Sequence, residues 1–237
     1  MVKLSKMYPK LKFEINRELD KMICFDFLNM RKAGIDFGEG IIKLHPKLED
    51  IRVNPRFKKQ IIDDYTDDYY LNHQNELVYQ CRLAQSEWVK KEKLFFKVCS
   101  NYFLNLPWPA GKYKAYLSIF NCNPRFLEDK TFQVYWKHPK RIITVVCHEM
   151  LHFIFYNLIS RSFSKRITEE ELWQLSEVMN YFLLKEPQYI GITKDPYPDL
   201  YPQLRDLANR YLPVWKSKKD VSKFLKTYYL NKRVMKY

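Results

Sequence analysis

Polar and apolar residues alternate through Lys10-Leu11-Lys12-Phe13-Glu14-Ile15, a period of two that predicts a short strand. A helical period takes over from Arg17 to Met30 and ends before Gly34. Gly38 and Gly40 predict a turn, and Ile41-Ile42-Lys43-Leu44 ahead of Pro46 reads as another strand. From Arg56 to about Tyr79 the pattern is helical, charged and rich in tyrosine. Residues 83 to 104 read as a separate helix, with Leu83, Trp88, Leu94, Phe95, Val98 and Phe103 on a broad apolar face and Pro107 and Pro109 to stop it. Two strands follow, Ala115 to Phe120 and Thr131 to Trp136, separated by a polar loop through Pro124. The second is expected to leave an exposed edge on which an extended peptide adds as a further strand.

The most hydrophobic stretch runs from Ile142 to Ile159 and predicts a helix that is core on nearly every face. Arg161 to Arg166 forms a basic loop, and Thr168 with Glu171 three residues later is a capping box that opens the next helix. Leu172, Leu175, Val178, Met179, Phe182 and Leu183 give that helix its apolar face, and Pro187 is expected to end it. Residues 187 to 202 read as an aromatic, proline-rich loop, followed by helices from about Gln203 to Leu212 and from Asp220 to Leu230. Glu177 is the odd residue among these elements, an acid after two turns of core-facing sequence where no capping role explains it.

Inside the apolar run stands His148-Glu149-Met150-Leu151-His152. On a helix, histidines four residues apart project from one face and reach one metal ion. Glu149 lies beside them, placed to take a proton from a zinc-bound water without being a ligand itself. Buried imidazoles and a carboxylate call for a compensating charge, which zinc supplies; the alternative is a pair of satisfied core histidines. Catalytic zinc keeps three protein ligands, and Glu177 is the candidate for the third. His45 and His73 have no partner at ligand spacing and are read as surface residues.

Composition narrows the class. The chain has 237 residues, 46% hydrophobic and 16% aromatic, which suits a globular protein and excludes a disordered or fibrous one. No apolar stretch follows the charges of Met1 to Lys6, so no secretory signal is expected, and the single apolar run with His148, Glu149 and His152 at its middle is read as a core helix and not a membrane span. Cys24, Cys81, Cys99, Cys122 and Cys147 are an odd number at wide spacings, read as reduced thiols of a cytoplasmic protein, with Cys147 a small core residue. A net charge of +14 makes nucleic acid a possible partner, but the basic residues are dispersed and no nucleic-acid motif accompanies them.

The His148-Glu149-Met150-Leu151-His152 stretch together with Leu175-Ser176-Glu177 resembles the gluzincins, in which a glutamate from the helix after the His-Glu-x-x-His helix completes a zinc site. Ser176 stands where the family has an asparagine. The order of helix, short sheet, motif helix and glutamate helix over residues 83 to 185 looks like the minimal members of that clan, the minigluzincins. The resemblance implies an α+β, zincin-like fold, with a small mixed sheet packed on an active-site helix and a glutamate helix and further helices at both ends. Residues 1–82 would then be an N-terminal α/β segment and residues 83–237 the catalytic domain. It implies a zinc-dependent peptidase with a peptide or protein substrate, His148, His152 and Glu177 as metal ligands, and Glu149 as the general base for a zinc-activated water. Glu171 is the rival ligand, with eighteen residues between His152 and it, as in the aminopeptidase branch. The family's oxyanion donor is a histidine or tyrosine downstream of the glutamate helix. No histidine follows His152, so Tyr201 is the candidate, with Tyr197 and Arg205 behind it. A function of another class, a basic nucleic-acid or protein-interaction module with a structural or inactive zincin core, is the alternative.

Overall fold

The computed structural model describes residues 8–32, 34–53, 55–162, 167–194 and 200–234. The chain is α+β and divides into two compact units that interleave along the sequence. One, the sheet unit, comprises Lys10–Trp88 and Gly111–Val146; the other, the helical unit, comprises Met1–Pro9, Val89–Ala110 and Cys147–Tyr237. The boundary expected at residues 82 and 83 falls inside a helix.

In the sheet unit, strands β1 (Leu11–Ile15), β4 (Tyr113–Ser118), β5 (Arg125–Phe126) and β6 (Thr131–Tyr135) form one sheet in the order β1-β4-β6-β5. The first three in that order run parallel, with Leu11 opposite Tyr113 and Lys114 opposite Thr131, while β5 pairs antiparallel with β6. This corrects the expectation of a free edge on Thr131 to Trp136: β6 lies between two neighbours, and Phe132, Gln133, Val134 and Tyr135 are all buried. Two-residue β5 escaped detection because so short a strand has no periodicity to read, only a partner.

Helix α1 (Arg17–Phe27) begins where the Asn16 side chain accepts from the Leu19 amide. Its Asp20 is fully buried and gathers donors from across the unit. Oδ1 accepts from the Ser118 hydroxyl at 2.6 Å and the Gln133 amide at 2.8 Å. Oδ2 accepts from the Tyr70 hydroxyl at 2.7 Å and the Ile119 backbone N–H at 3.0 Å. A small ribbon, β2 (Arg31–Lys32) with β3 (Ile35–Asp36), leads into α2 (Phe37–Leu44). The turn and strand expected over Gly38 to Leu44 are thus one helix, because Asp36 caps it by accepting from the Glu39 amide and Ile41 is buried as its core residue.

His45, expected at the surface, is 2% exposed. Its Nε2 lies 2.9 Å from the Ile119 carbonyl, an acceptor only, so Nε2 carries the hydrogen and Nδ1 accepts from the Tyr65 hydroxyl at 2.6 Å. Burial pushes the imidazole down to about 4, against the pull of that carbonyl. His73 is half-buried, its ring stacked on Tyr69.

After α3 (Asp50–Val53), helix α4 (Lys58–Tyr102) runs unbroken for 45 residues where two helices were expected. No glycine or proline interrupts it, and Tyr70, Leu77, Cys81, Ala84, Trp88, Phe95 and Cys99 keep one buried stripe through the expected gap. It ends before Pro107 is reached, at Leu104 and Asn105 in the left-handed region, where the Asn105 amide closes on the Ser100 carbonyl.

The helical unit holds most of α5 (Pro139–Ser162), α6 (Glu169–Leu184), α7 (Pro187–Thr193), α8 (Arg205–Lys218) and α9 (Val221–Val234). By length and composition α5 suffices to cross a membrane, but its apolar window is 78% buried inside the protein, the condition of a core helix. Both halves of the capping box at Thr168 and Glu171 are made. Pro187 opens α7 at its first turn and does not merely end α6, a position where its missing N–H costs nothing. Helix α8 continues past Leu212 to Lys218 with Pro213 inside it, and Trp215 is buried and stacked on Phe182 and Tyr102. Glu186 accepts from Tyr102 and from the Trp215 indole N–H, and Lys219 pairs with it.

Candidate metal centre

Helix α5 carries His148 and His152 one turn apart, and their rings meet edge to face with centroids 4.5 Å apart. Helix α6 brings Glu177 to the same place. His148 Nε2 and His152 Nε2 are 2.9 Å apart, His148 Nε2 is 3.4 Å from Glu177 Oε2, and His152 Nε2 is 3.4 Å from Glu177 Oε1. All three ligand atoms fall within 4.8 Å of one another. Bonds of about 2.0–2.2 Å at tetrahedral angles hold the ligand atoms of a zinc site about 3.4 Å apart, so the set fits a single zinc ion.

Proton counting reaches the same conclusion. If both Nε2 atoms carried hydrogens, both could face Glu177, but the 2.9 Å contact between them would set donor against donor. With one hydrogen or none, a lone pair faces a lone pair or the carboxylate. A cation relieves all of these contacts at once. Burial works to raise the pKa of Glu177, yet the charges of His152 and His148 and their hydrogen bonds outweigh it and hold the carboxyl well below its usual range.

Glu149 is buried, with Oε1 3.9 Å from His148 Nε2. It does not belong to the three-residue ligand group. Glu171, the rival ligand, is engaged with the Thr168 backbone N–H at 3.0 Å as a cap. Cys147, next to His148, is fully buried, and burial pushes its thiol well above the ordinary value, so it is a core residue and no thiolate. Tyr201 is half-buried, its ring 5.6 Å from that of Trp173, which precedes Glu177 by one turn of α6. Arg205 is exposed, and Tyr197 lies outside the described residues.

Two neighbours of the site were not anticipated. The Tyr156 ring lies 6.3 Å from that of His152, and Asn180 donates its side-chain amide to the backbone carbonyl of His148 at 2.9 Å. The signal for Asn180 was its spacing, an amide three residues after Glu177 on a helix otherwise apolar there. Comparison with protein-family models, curated proteins and solved structures finds no match.

Proposed function

We propose that this chain is a zinc metallopeptidase of gluzincin type with a zincin-like core. The observation that carries the reading is the convergence of His148, His152 and Glu177 within 4.8 Å, with Glu149 buried beside them. Bound there, zinc would polarise the scissile carbonyl and lower the pKa of a water molecule. The two Nε2 atoms and the Glu177 carboxylate would hold it. Glu149 accepts the proton that the water loses as its oxygen bonds to the carbonyl carbon, then returns it to the amine nitrogen as the C–N bond breaks. Because the carboxylate is buried, little solvent competes for that proton. The Tyr201 hydroxyl is the proposed donor to the oxyanion, and Tyr201→Phe should raise the barrier to turnover by roughly 2–4 kcal/mol with zinc retained. The five free thiols fit a reducing, cytoplasmic setting.

Elemental analysis and peptide hydrolysis test the proposal together. Wild type should carry about one zinc per chain. Glu149→Gln should keep it while losing roughly 10²- to 10⁴-fold in turnover of a diverse peptide library. Wild type free of zinc, or a Glu149→Gln enzyme as fast as wild type, overturns the proposal. Stoichiometric zinc without cleavage of any peptide transfers support to the interaction module, which the net charge of +14 favours.

A further inference from the structure

We infer that Asn180 is a positioning residue that sets Glu177 against His148 by tying α6 to the backbone of α5. The inference rests on the metal-centre reading and adds to it the part that fixes the ligand geometry. Asn180 is fully buried, three residues after Glu177 and therefore on the same side of α6. Its Nδ2 donates to the His148 carbonyl at 2.9 Å. A carbonyl only accepts, so chemistry fixes which end of the amide faces it.

The other end is the informative one. Asn180 Oδ1 is buried and meets no hydrogen-bond donor among the described residues. A half-satisfied amide in a core costs free energy, and for packing alone leucine would serve at least as well. The residue makes physical sense where one bond sets the height and rotation of one helix on another. Here that bond holds the backbone of the first histidine. One turn away, the two Glu177 oxygens each lie 3.4 Å from a histidine nitrogen. A small slip of α6 along α5 would separate those atoms.

Asn180→Leu tests this with three readouts: zinc affinity by chelator competition, melting temperature of the metal-free protein, and the visible spectrum of the cobalt(II)-loaded protein. A merely structural asparagine would lower the melting temperature and leave the other two alone. The positioning role predicts a metal-free melting temperature equal to or above wild type, zinc affinity about 10- to 100-fold weaker, and an altered cobalt spectrum. Asn180→Ala serves as a second variant should leucine not fit, with the same losses of affinity. Unchanged zinc affinity in a folded variant overturns the inference, as does failure of both variants to fold, which would make Asn180 a requirement of the core. Wild type that binds no zinc overturns the metal-centre reading as well, and is recognised before any variant is made.

Discussion

Each unit buries a polar cluster, and the two are built on opposite terms. In the sheet unit the Asp20 carboxylate receives four donors from four residues, Ser118, Gln133, Tyr70 and Ile119, two on each oxygen. In the helical unit His148, His152 and Glu177 converge on one point, with their ligand atoms within 4.8 Å of one another. A buried acceptor that the chain itself satisfies is architecture; side chains of metal-ligating type that converge on each other are the arrangement that the proposed zinc would hold. The contrast matters because burial alone marks both clusters equally, Asp20 at 0% exposure and Glu177 at 6%. What separates them is the bookkeeping of donors.

Two substitutions break the comparison most forcefully. If zinc fills the helical unit's cluster, a chelator should lower wild-type stability by about 4 kcal/mol relative to zinc at a thousand times its Kd. His152→Ala should show no such difference, because it binds no zinc to lose. Asp20→Asn places an NH₂ where an oxygen received two donors, at a cost of about 3 kcal/mol, yet its zinc content should equal wild type's. Denaturant unfolding with parallel elemental analysis reads both. Were Asp20→Asn to shed zinc, or His152→Ala to retain it, the assignment of one cluster to architecture and the other to metal would fail.

The pH dependence of the sheet unit sharpens the same point, since a self-satisfied network should answer to protons and not to metal. His45 is neutral in the fold, and burial has pushed its pKa from 6.5 down to about 4. Above pH 6.5 its contribution is complete; as the pH falls toward 4 the unfolded chain takes a proton that the fold refuses, and about 3 kcal/mol is lost. Asp20 runs the other way. Burial, opposed by its four hydrogen bonds, pushes its carboxyl from 3.8 up to about 6, so its contribution is complete below pH 3.8 and is lost as the pH rises through 6. His45→Gln can donate to the Ile119 carbonyl and accept from Tyr65 but does not titrate. Between pH 6.5 and 4 its stability relative to wild type should swing in its favour by about 3 kcal/mol. A flat difference across that range would show that His45 does not titrate as placed.

The two clusters were unequally legible in the sequence, for a physical reason. His148, Glu149 and His152 sit within five residues on one helix, and Glu177 betrayed itself as an acid on an apolar helix face. The helix cap at Thr168 and the alternation of β1 and β6 are likewise local signals. The Asp20 network draws donors from 50 to 113 residues away, and His45 is buried by Tyr65 and Ile119, 20 and 74 residues distant. No window along the chain contains such partners. Gly38 and Gly40 misled because glycine marks turns in general, while the Asp36 cap and the burial of Ile41 decided the local outcome. The continuity of α4 was hidden by reading two apolar patterns where one stripe serves both halves.

The smallest expected effect discriminates between two acids on the same helix. Glu171 and Glu177 both belong to α6, one half-buried in its first turn and the other buried six residues later. The side chain of Glu171 accepts from the Thr168 amide at 3.0 Å while the Thr168 hydroxyl accepts from the Glu171 amide at 3.2 Å. That reciprocal box satisfies two amides at the helix start and accounts for the residue without any ligand role. Glu171→Ala removes half of it and should cost about 0.5–1 kcal/mol, with Thr168→Ala slightly more because the cap itself is lost. Neither should alter zinc content or peptide turnover. Glu177→Ala should lose zinc at equal concentration, because only two nitrogen ligands remain of the three groups within 4.8 Å. If Glu171→Ala loses the metal and Glu177→Ala keeps it, the ligand has been placed about one and a half turns too far along α6, and the convergence at Glu177 is architecture, as the network around Asp20 is.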